Sequence, residues 1–299
     1  MKRIVLLSDL SALGRCSLTA SIPVLSVMGV QPVPAPTAIL SNQTGYRSCY
    51  FEEYTDRLSS FADEWQKIGF TPDGIYTGFL KDAVSVKRVA SMVTKIRVPG
   101  CLLIVDPIMG DNGNAFPMYS EEFLLESRKL IRMADVITPN LTEAILLLAG
   151  IDGLKKEWNR LGSETGEEKR MHILSIAEAL SREYGIGTVV ITGIEEGCGM
   201  RFDDGAEGSD DDKEISNLIL QKGNGTFISS RKIGGSYSGT GDLFTSVLAA
   251  GMVNGIDPVV CGRKACRFLN QALELTVQEG TDRNEGLHFE PFLGELLPK

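Results

Sequence analysis

The feature that most limits how this chain can fold is a recurrent alternation. Short β-rich apolar runs are separated by segments of helical pattern, and most of the runs stop at an acid, a Thr-Gly pair or a Pro-Asn pair. The runs are RIVLLS (3–8), GIYTG (74–78), CLLIVDP (101–107), DVITPN (135–140) and TVVIT (188–192). Continuously apolar strands are buried on both faces, which requires helices on both sides of the sheet. Helical patterns fill the intervals at 15–29, 55–69, 82–98, 120–133, 141–150 (closed by Gly150) and 172–185. In the second of these, Leu58, Phe61, Trp65 and Ile68 recur at the three- and four-residue spacing of one helix face. QPVPAPTAIL (31–40) reads as extended, because each proline biases the residue before it away from the helix. The alternation predicts an α/β fold: a doubly wound, mostly parallel sheet flanked by helices. Chemistry on such a sheet sits beyond the carboxyl ends of the strands, and the acids and glycines of this chain cluster there.

The stretch 195–231 breaks the pattern. An acidic run from Arg201 to Asp212 is followed by two β-like segments, read as a hairpin region with a solvated acidic loop. Two helices follow, DLFTSVLAAGMVNG and PVVCGRKACRFLNQALELTVQ. No internal repeat or linker interrupts the order, so the expectation is one domain over 1–299. At 299 residues and 43% hydrophobic content, the chain can bury a large core.

Composition narrows the partners. The formal net charge is −9 with no Lys/Arg block, which argues against nucleic acid. An acidic protein that binds an anion must gather positive potential locally, from backbone amides, helix N-termini or a metal ion. Cys16, Cys49, Cys101, Cys198, Cys261 and Cys266 form no C-x-x-C pair, so neither zinc nor a disulfide framework is expected. His172 and His288 read as structural or surface residues. Asp9 interrupts the first apolar run, and no small-residue cleavage site follows, which argues against a signal peptide. Residues 16–46 are uncharged, but Pro23, Pro32, Pro34 and Pro36 break any spanning helix. A buried helix and strand outside any membrane, in a cytoplasmic protein, are expected.

Three constellations carry chemistry. Gly239-Thr240-Gly241-Asp242 precedes an apolar helix. Glycines allow close backbone approach, and a helix N-terminus offers unsatisfied N–H groups and partial positive charge. Together they form an anion site suited to a phosphoryl group in transfer. Asp242 at its mouth is either a base for an attacking hydroxyl or only a helix cap. In VDPIMGDNG (105–113), Asp106 ends a buried strand, where an unpaired charge is costly, and Asp111 lies in the loop beyond. A cation, a hydrogen-bond network or a turn with capping acids would each account for them. In DVITPNLTEA (135–144), Asn140 and Glu143 stand three apart at a helix start. Glu143 either completes a capping box or binds magnesium through water. There is no G-x-x-x-x-G-K-[ST], so the chain is not a P-loop enzyme.

SNQTGY (41–46), DPIMGD (106–111), ADVITPN (134–140) with Glu143, TVVITG (188–193) and SGTGDLF (238–244) resemble, in this order, the pyridoxal and pyridoxamine kinases of the ribokinase-like superfamily. The resemblance runs from about residue 4 to 278. GTGD marks only the superfamily, while SNQTGY with DPIMGD and ITPN points to the vitamin B6 branch. What it implies is ATP-dependent phosphorylation of the 5′-hydroxymethyl group of pyridoxal, pyridoxine or pyridoxamine. Asp242 would be the base and contact the substrate, and the amides around Gly239, Thr240 and Gly241 the anion hole. Asp111, Asn140 and Thr192 would lie along the ATP phosphates. Asp106, Thr138 and Glu143 would surround magnesium, and a monovalent cation, largely through water. Thr44 and Gly45 would line the pyridine pocket with Asp9 and Phe79, in a homodimer. Two departures stand out: Ser8-Asp9-Leu10 replaces the family's Q-S-H, and Phe79 its frequent Tyr. Asp9 resembles the hydroxymethylpyrimidine kinase branch, so that activity stays open as an alternative. A non-catalytic B6-binding protein is the alternative outside the enzymes.

Overall fold

Strand β1 (Lys2–Leu7) shows how the core is divided. Its Ile4 and Leu6 are buried on one face, and its Val5 and Leu7 on the other. Side chains alternate across a strand, so a run without polar residues serves two apolar layers at once. The same division holds for β6 (Gly74–Thr77), β7 (Leu102–Val105), β10 (Val136–Ile137) and β11 (Thr188–Glu196). This is a computed structural model, which describes residues 1–196 and 214–298.

The main sheet has eight strands. β3 (Val30–Pro34) flanks β1, and the hairpin strands β12 (Glu214–Gln221) and β13 (Asn224–Arg231) follow β11, in the order β13-β12-β11-β10-β7-β6-β1-β3. Pairs from β3 to β11 are parallel, and the last two are antiparallel. The chain runs from β1 out to β3, then returns to β6 on the other side of β1. The carboxyl ends of β1 and β6 therefore flank a topological switch point, where open α/β sheets bind ligands. Asp9 and Gly78 follow those two ends.

One face carries α2 (Leu58–Lys67), α3 (Ala83–Ile96), α4 (Glu121–Ile131), α5 (Leu141–Ser163) and α6 (Gly166–Tyr184). The other carries α1 (Ser17–Val27), α7 (Thr240–Val253) and α8 (Pro258–Gln278). A small sheet of β2 (Leu10–Ser11), β4 (Ala38–Leu40) and β5 (Phe51–Glu53) lies past the end of β1, and β8 (Gly110–Asp111) pairs with β9 (Asn114–Ala115) past β7. The uncharged stretch 16–46 becomes α1, β3 and β4. Among the described residues, no helix is long and apolar enough to cross a membrane.

Two expectations need correction. Gly150 does leave helical geometry, at φ 73° and ψ −178°, but helical turns resume and α5 continues to Ser163. Helix α6 begins at Gly166, six residues before the periodic pattern suggested, with Glu167 and Glu168 in its first turn complementing the helix dipole. The hairpin is present, turning at Lys222 and Gly223, both at positive φ. The acidic run Arg201–Asp212 lies outside the described residues.

Candidate active site

Helix α7 starts where its N-cap, Gly239, takes a left-handed conformation at φ 83°. The conformation and the packing both demand glycine: a Cβ there would fall 1.9 Å from the Arg15 carbonyl oxygen. Gly241 differs. A Cβ on it would meet only Asp106 Oδ2, at 3.9 Å, so its backbone faces open space. Between them Thr240 Oγ1 donates to the Tyr237 carbonyl, tying the turn to the segment before it.

Asp242, in the first turn of α7, is buried at 8% exposure. Its Oδ2 accepts the Ser17 N–H at 2.8 Å, and the Tyr76 hydroxyl stands 3.5 Å from its Oδ1, the long limit of a hydrogen bond. Ser17 holds φ 49°, a left-handed conformation that costs a serine energy and aims its N–H at the carboxylate. Burial pushes the Asp242 carboxyl up to about 7; the Ser17 N–H opposes this and the charge of Asp9 adds to it. Such a group titrates near neutrality, so its ionised form is available there and basic enough to accept a proton from an alcohol.

Asp106, past the end of β7, is raised well above the usual carboxylate range by burial, then by the charges of Glu143 and Asp242, with a Thr138 hydrogen bond opposing. Thr138 also accepts from Thr245 Oγ1 at 3.1 Å. Glu143 completes a capping box on α5: its Oε2 accepts the Asn140 N–H at 2.8 Å, and Asn140 Oδ1 accepts the Glu143 N–H at 3.0 Å. Its Oε1 accepts the Met109 N–H at 3.0 Å, fastening the loop after Asp106. Burial raises Glu143 to about 8 despite these N–H donors. Capping is therefore present, and the residue remains beside Asp106. Asn140 Nδ2 donates to the Gly110 carbonyl, and Thr192 bridges Asn140 in parallel register, so β8, α5 and β11 meet at one point. Asp111, half-buried in β8, is raised by burial, and Arg283 partly offsets this.

One cleft of about 500 Å³ gathers these groups. Asp106, Asp111, Thr138, Asn140, Glu143, Thr192, Gly239, Thr240, Gly241 and Asp242 all line it. Asp9, Thr44, Gly45 and Phe79 do not. Asp9 lies behind Asp242, buried, with Ser11 Oγ donating to it at 2.7 Å, and burial raises its carboxyl. Thr44 and Gly45 lie on an exposed loop, where the Gly45 N–H donates to Gln43 Oε1 and Gln43 Nε2 donates to Asn284 Oδ1. A Cβ on Gly14 would meet Gln43 Cγ at 3.0 Å, so this loop packs over the 14–17 segment that holds Asp242. Phe79 is half-buried against the core beside Gly78, whose own hypothetical Cβ would meet Ser8 Oγ. These four thus lie on the β1–β6 side of Asp242, outside the cleft lined by Asp106, Asp111, Asn140 and Thr192.

Sequence reasoning missed four contributors: the Ser17 N–H, Tyr76, Lys169 and Lys232. The first two had no local signal. The two lysines line the cleft. His172 sits between Glu157 and Glu164, at 2.7 and 2.8 Å, and does not line the cleft.

Comparison with known proteins follows the same lines. The family model described as phosphomethylpyrimidine kinase matches residues 17–286. The pyridoxine/pyridoxal/pyridoxamine kinase of Bordetella avium is 25% identical over 266 residues, 85% of this chain and 78% of that protein. A crystal structure of a candidate phosphomethylpyrimidine kinase from Bacteroides thetaiotaomicron, in a form with pyridoxal, is similar at TM-score 0.84 and 32% identity, over 99% of this chain and 95% of that one. The pyridoxal kinase of Leishmania donovani, solved with ADP and pyridoxamine, shares the fold at TM-score 0.77 and 21% identity, over 99% and 96%.

Proposed function

The chain belongs to the phosphomethylpyrimidine kinase family, and from that premise we propose that it transfers the γ-phosphoryl group of ATP to the 5′-hydroxymethyl group of a vitamin B6 vitamer. The observation that carries the reaction is the buried Asp242 beside the exposed backbone of Gly241, at the mouth of a helix N-terminus. Asp242 takes the hydroxyl proton while the substrate oxygen attacks the γ-phosphorus, and the bond to the ADP oxygen breaks. The α7 N-terminal amides face the charge on the transferring group, and phosphoryl transfer asks little of a protein beyond such placement. Pyridine-type substrates are favoured by the likeness to the Bacteroides protein with pyridoxal. Asp9 and the family's own description favour hydroxymethylpyrimidine as the second reading. A coupled assay of ATP consumption with each vitamer and with hydroxymethylpyrimidine decides between them. Greater turnover of the pyrimidine reverses the choice, and vitamer binding without ATP consumption marks a carrier.

Magnesium fits the donor set. Asp106 and Glu143 are buried carboxylates whose proton affinity is raised chiefly by burial, with the Glu143 charge adding to it at Asp106, and oxygen ligands suit this ion. Among the described residues no group of three or more His, Cys, Asp and Glu is placed to bind a metal directly, so Asp106, Thr138 and Glu143 would hold it through its own waters. When bound it neutralises phosphate charge. Since both carboxylates carry protons more readily than usual in its absence, 5 mM MgCl2 is expected to raise the melting temperature more at pH 8.5 than at pH 5.5. An equal shift at both pH values would separate magnesium from these residues. We further propose a monovalent cation at the same site, and a single-domain, cytoplasmic homodimer.

The pH dependence follows from Asp242. The base works ionised, and burial holds its carboxyl near 7 in the free protein. The logarithm of kcat/KM should therefore rise with unit slope on the acid side and level off above about pH 7. Tyr76→Phe removes a donor that favours the ionised form, so its acid limb moves to higher pH. A profile flat down to pH 5 contradicts the assignment of the base.

A further inference from the structure

Lys169 sits on the apolar face of its helix. α6 buries Ile173, Ile176, Ala177, Leu180 and Tyr184, the three- and four-residue stripe of an amphipathic helix. Lys169 continues that stripe one turn earlier and is 8% exposed. Lysine is almost never buried this far unless it is paired. Its Nζ donates to the main-chain carbonyl of Glu195 at 2.9 Å, one neutral acceptor for three N–H donors. The Glu195 carboxylate is taken by Lys232, at 2.7 Å. Among the described residues no carboxylate forms an ion pair with Lys169, so a buried positive charge is left to be balanced by something else.

Its surroundings say what that is. Lys169 lines the cleft with Asp111, Asn140, Thr192 and Gly241, and it and Lys232 are the two cations lining that cleft among the described residues. A cleft otherwise rich in carboxylates repels a polyanion unless a cation is held within it. The stem of Lys169 packs with the apolar stripe and delivers its ammonium to the cleft. We propose that Lys169 binds the polyphosphate chain of the nucleotide, supplying the unbalanced positive charge that the helix N-terminus alone does not. This rests on the kinase reading above.

The test is calorimetric titration of ADP, and separately of adenosine, into the full-length protein and its variants. Lys169→Met keeps the stem and removes the charge. It should weaken ADP by about tenfold or more, as expected for a charged hydrogen bond, and leave adenosine binding unchanged. Lys169→Arg should recover most of the loss, and the salt dependence of ADP affinity should be shallower in Lys169→Met. Unchanged ADP affinity in Lys169→Met, or equal losses for ADP and adenosine, overturns the proposal. Failure of the wild-type protein to bind ADP at all refutes the kinase reading itself, and this proposal with it. If Lys169→Met does not fold, Lys169→Gln carries the same comparison.

Discussion

Asp242→Asn is expected to lower kcat by about 10²–10⁴-fold, the usual contribution of a positioned general base, while ADP binding persists. Asparagine keeps the size of the side chain, and its carbonyl oxygen can still accept the Ser17 N–H that reaches Asp242 Oδ2 at 2.8 Å. Stability should not fall with activity. The carboxylate is buried, its proton affinity raised chiefly by that burial and further by Asp9, so at pH 8 the neutral amide is relieved of a desolvation cost that the charged form carries. The expected pattern is an inactive protein whose melting temperature is equal to or above that of the wild type. Steady-state turnover and a thermal melt, run on the same preparation, check it. Near-native turnover would remove Asp242 from the chemistry, and a large loss of stability would make it a structural cap instead.

The two halves of the site differ in how far the sequence discloses them. The strands were legible because runs such as LLIV and TVVIT can be buried on both faces and so admit few alternatives to a helix-covered sheet. Residues at the strand ends were legible for the same reason: topology brings Asp106, Asn140, Thr192 and Gly241 into one cleft once the strand order is set. Lys169 is not legible as a site residue because a charged residue breaks the periodicity that locates a helix, and the periodic pattern starts after it. Its position on the stripe Ile173–Ile176–Leu180 was nevertheless a usable signal. Ser17 and Tyr76 were not legible. Their approach to Asp242 spans 225 and 166 residues of sequence and depends on an unusual serine backbone and on which face of β6 turns inward. Thr44 and Gly45 are singled out only by the motif they belong to, and no local physical pattern distinguishes them from an ordinary exposed turn.

Gly239 and Gly241 are expected to fail in different ways, although only one residue separates them. At Gly239, alanine meets two obstacles. The backbone is left-handed at φ 83°, and the new methyl carbon would fall 1.9 Å from the Arg15 oxygen and 3.0 Å from Cys16 Cα. The obstructing segment cannot easily retreat. Arg15 N donates to the Glu285 carbonyl at 3.0 Å, its Nε pairs with Glu290 at 2.6 Å, and a Cβ on Gly286 would already crowd the same Arg15 oxygen. Strain and overpacking together should cost about 2–5 kcal/mol. Because Ser17 follows Cys16, any shift that relieves the clash also withdraws the N–H from Asp242. Gly239→Ala should therefore lose stability and turnover together. Gly241 has neither obstacle: its φ is not left-handed, and the nearest atom to a Cβ is Asp106 Oδ2 at 3.9 Å. Gly241→Val should fold and melt like the wild type, yet lose about 10²-fold or more in kcat/KM for ATP, since its branches occupy the space through which phosphate reaches the amides. Melting temperature and kcat/KM measured on both variants separate the two roles. A destabilised but active Gly241→Val, or a stable and inactive Gly239→Ala, would move the anion-binding backbone from one glycine to the other.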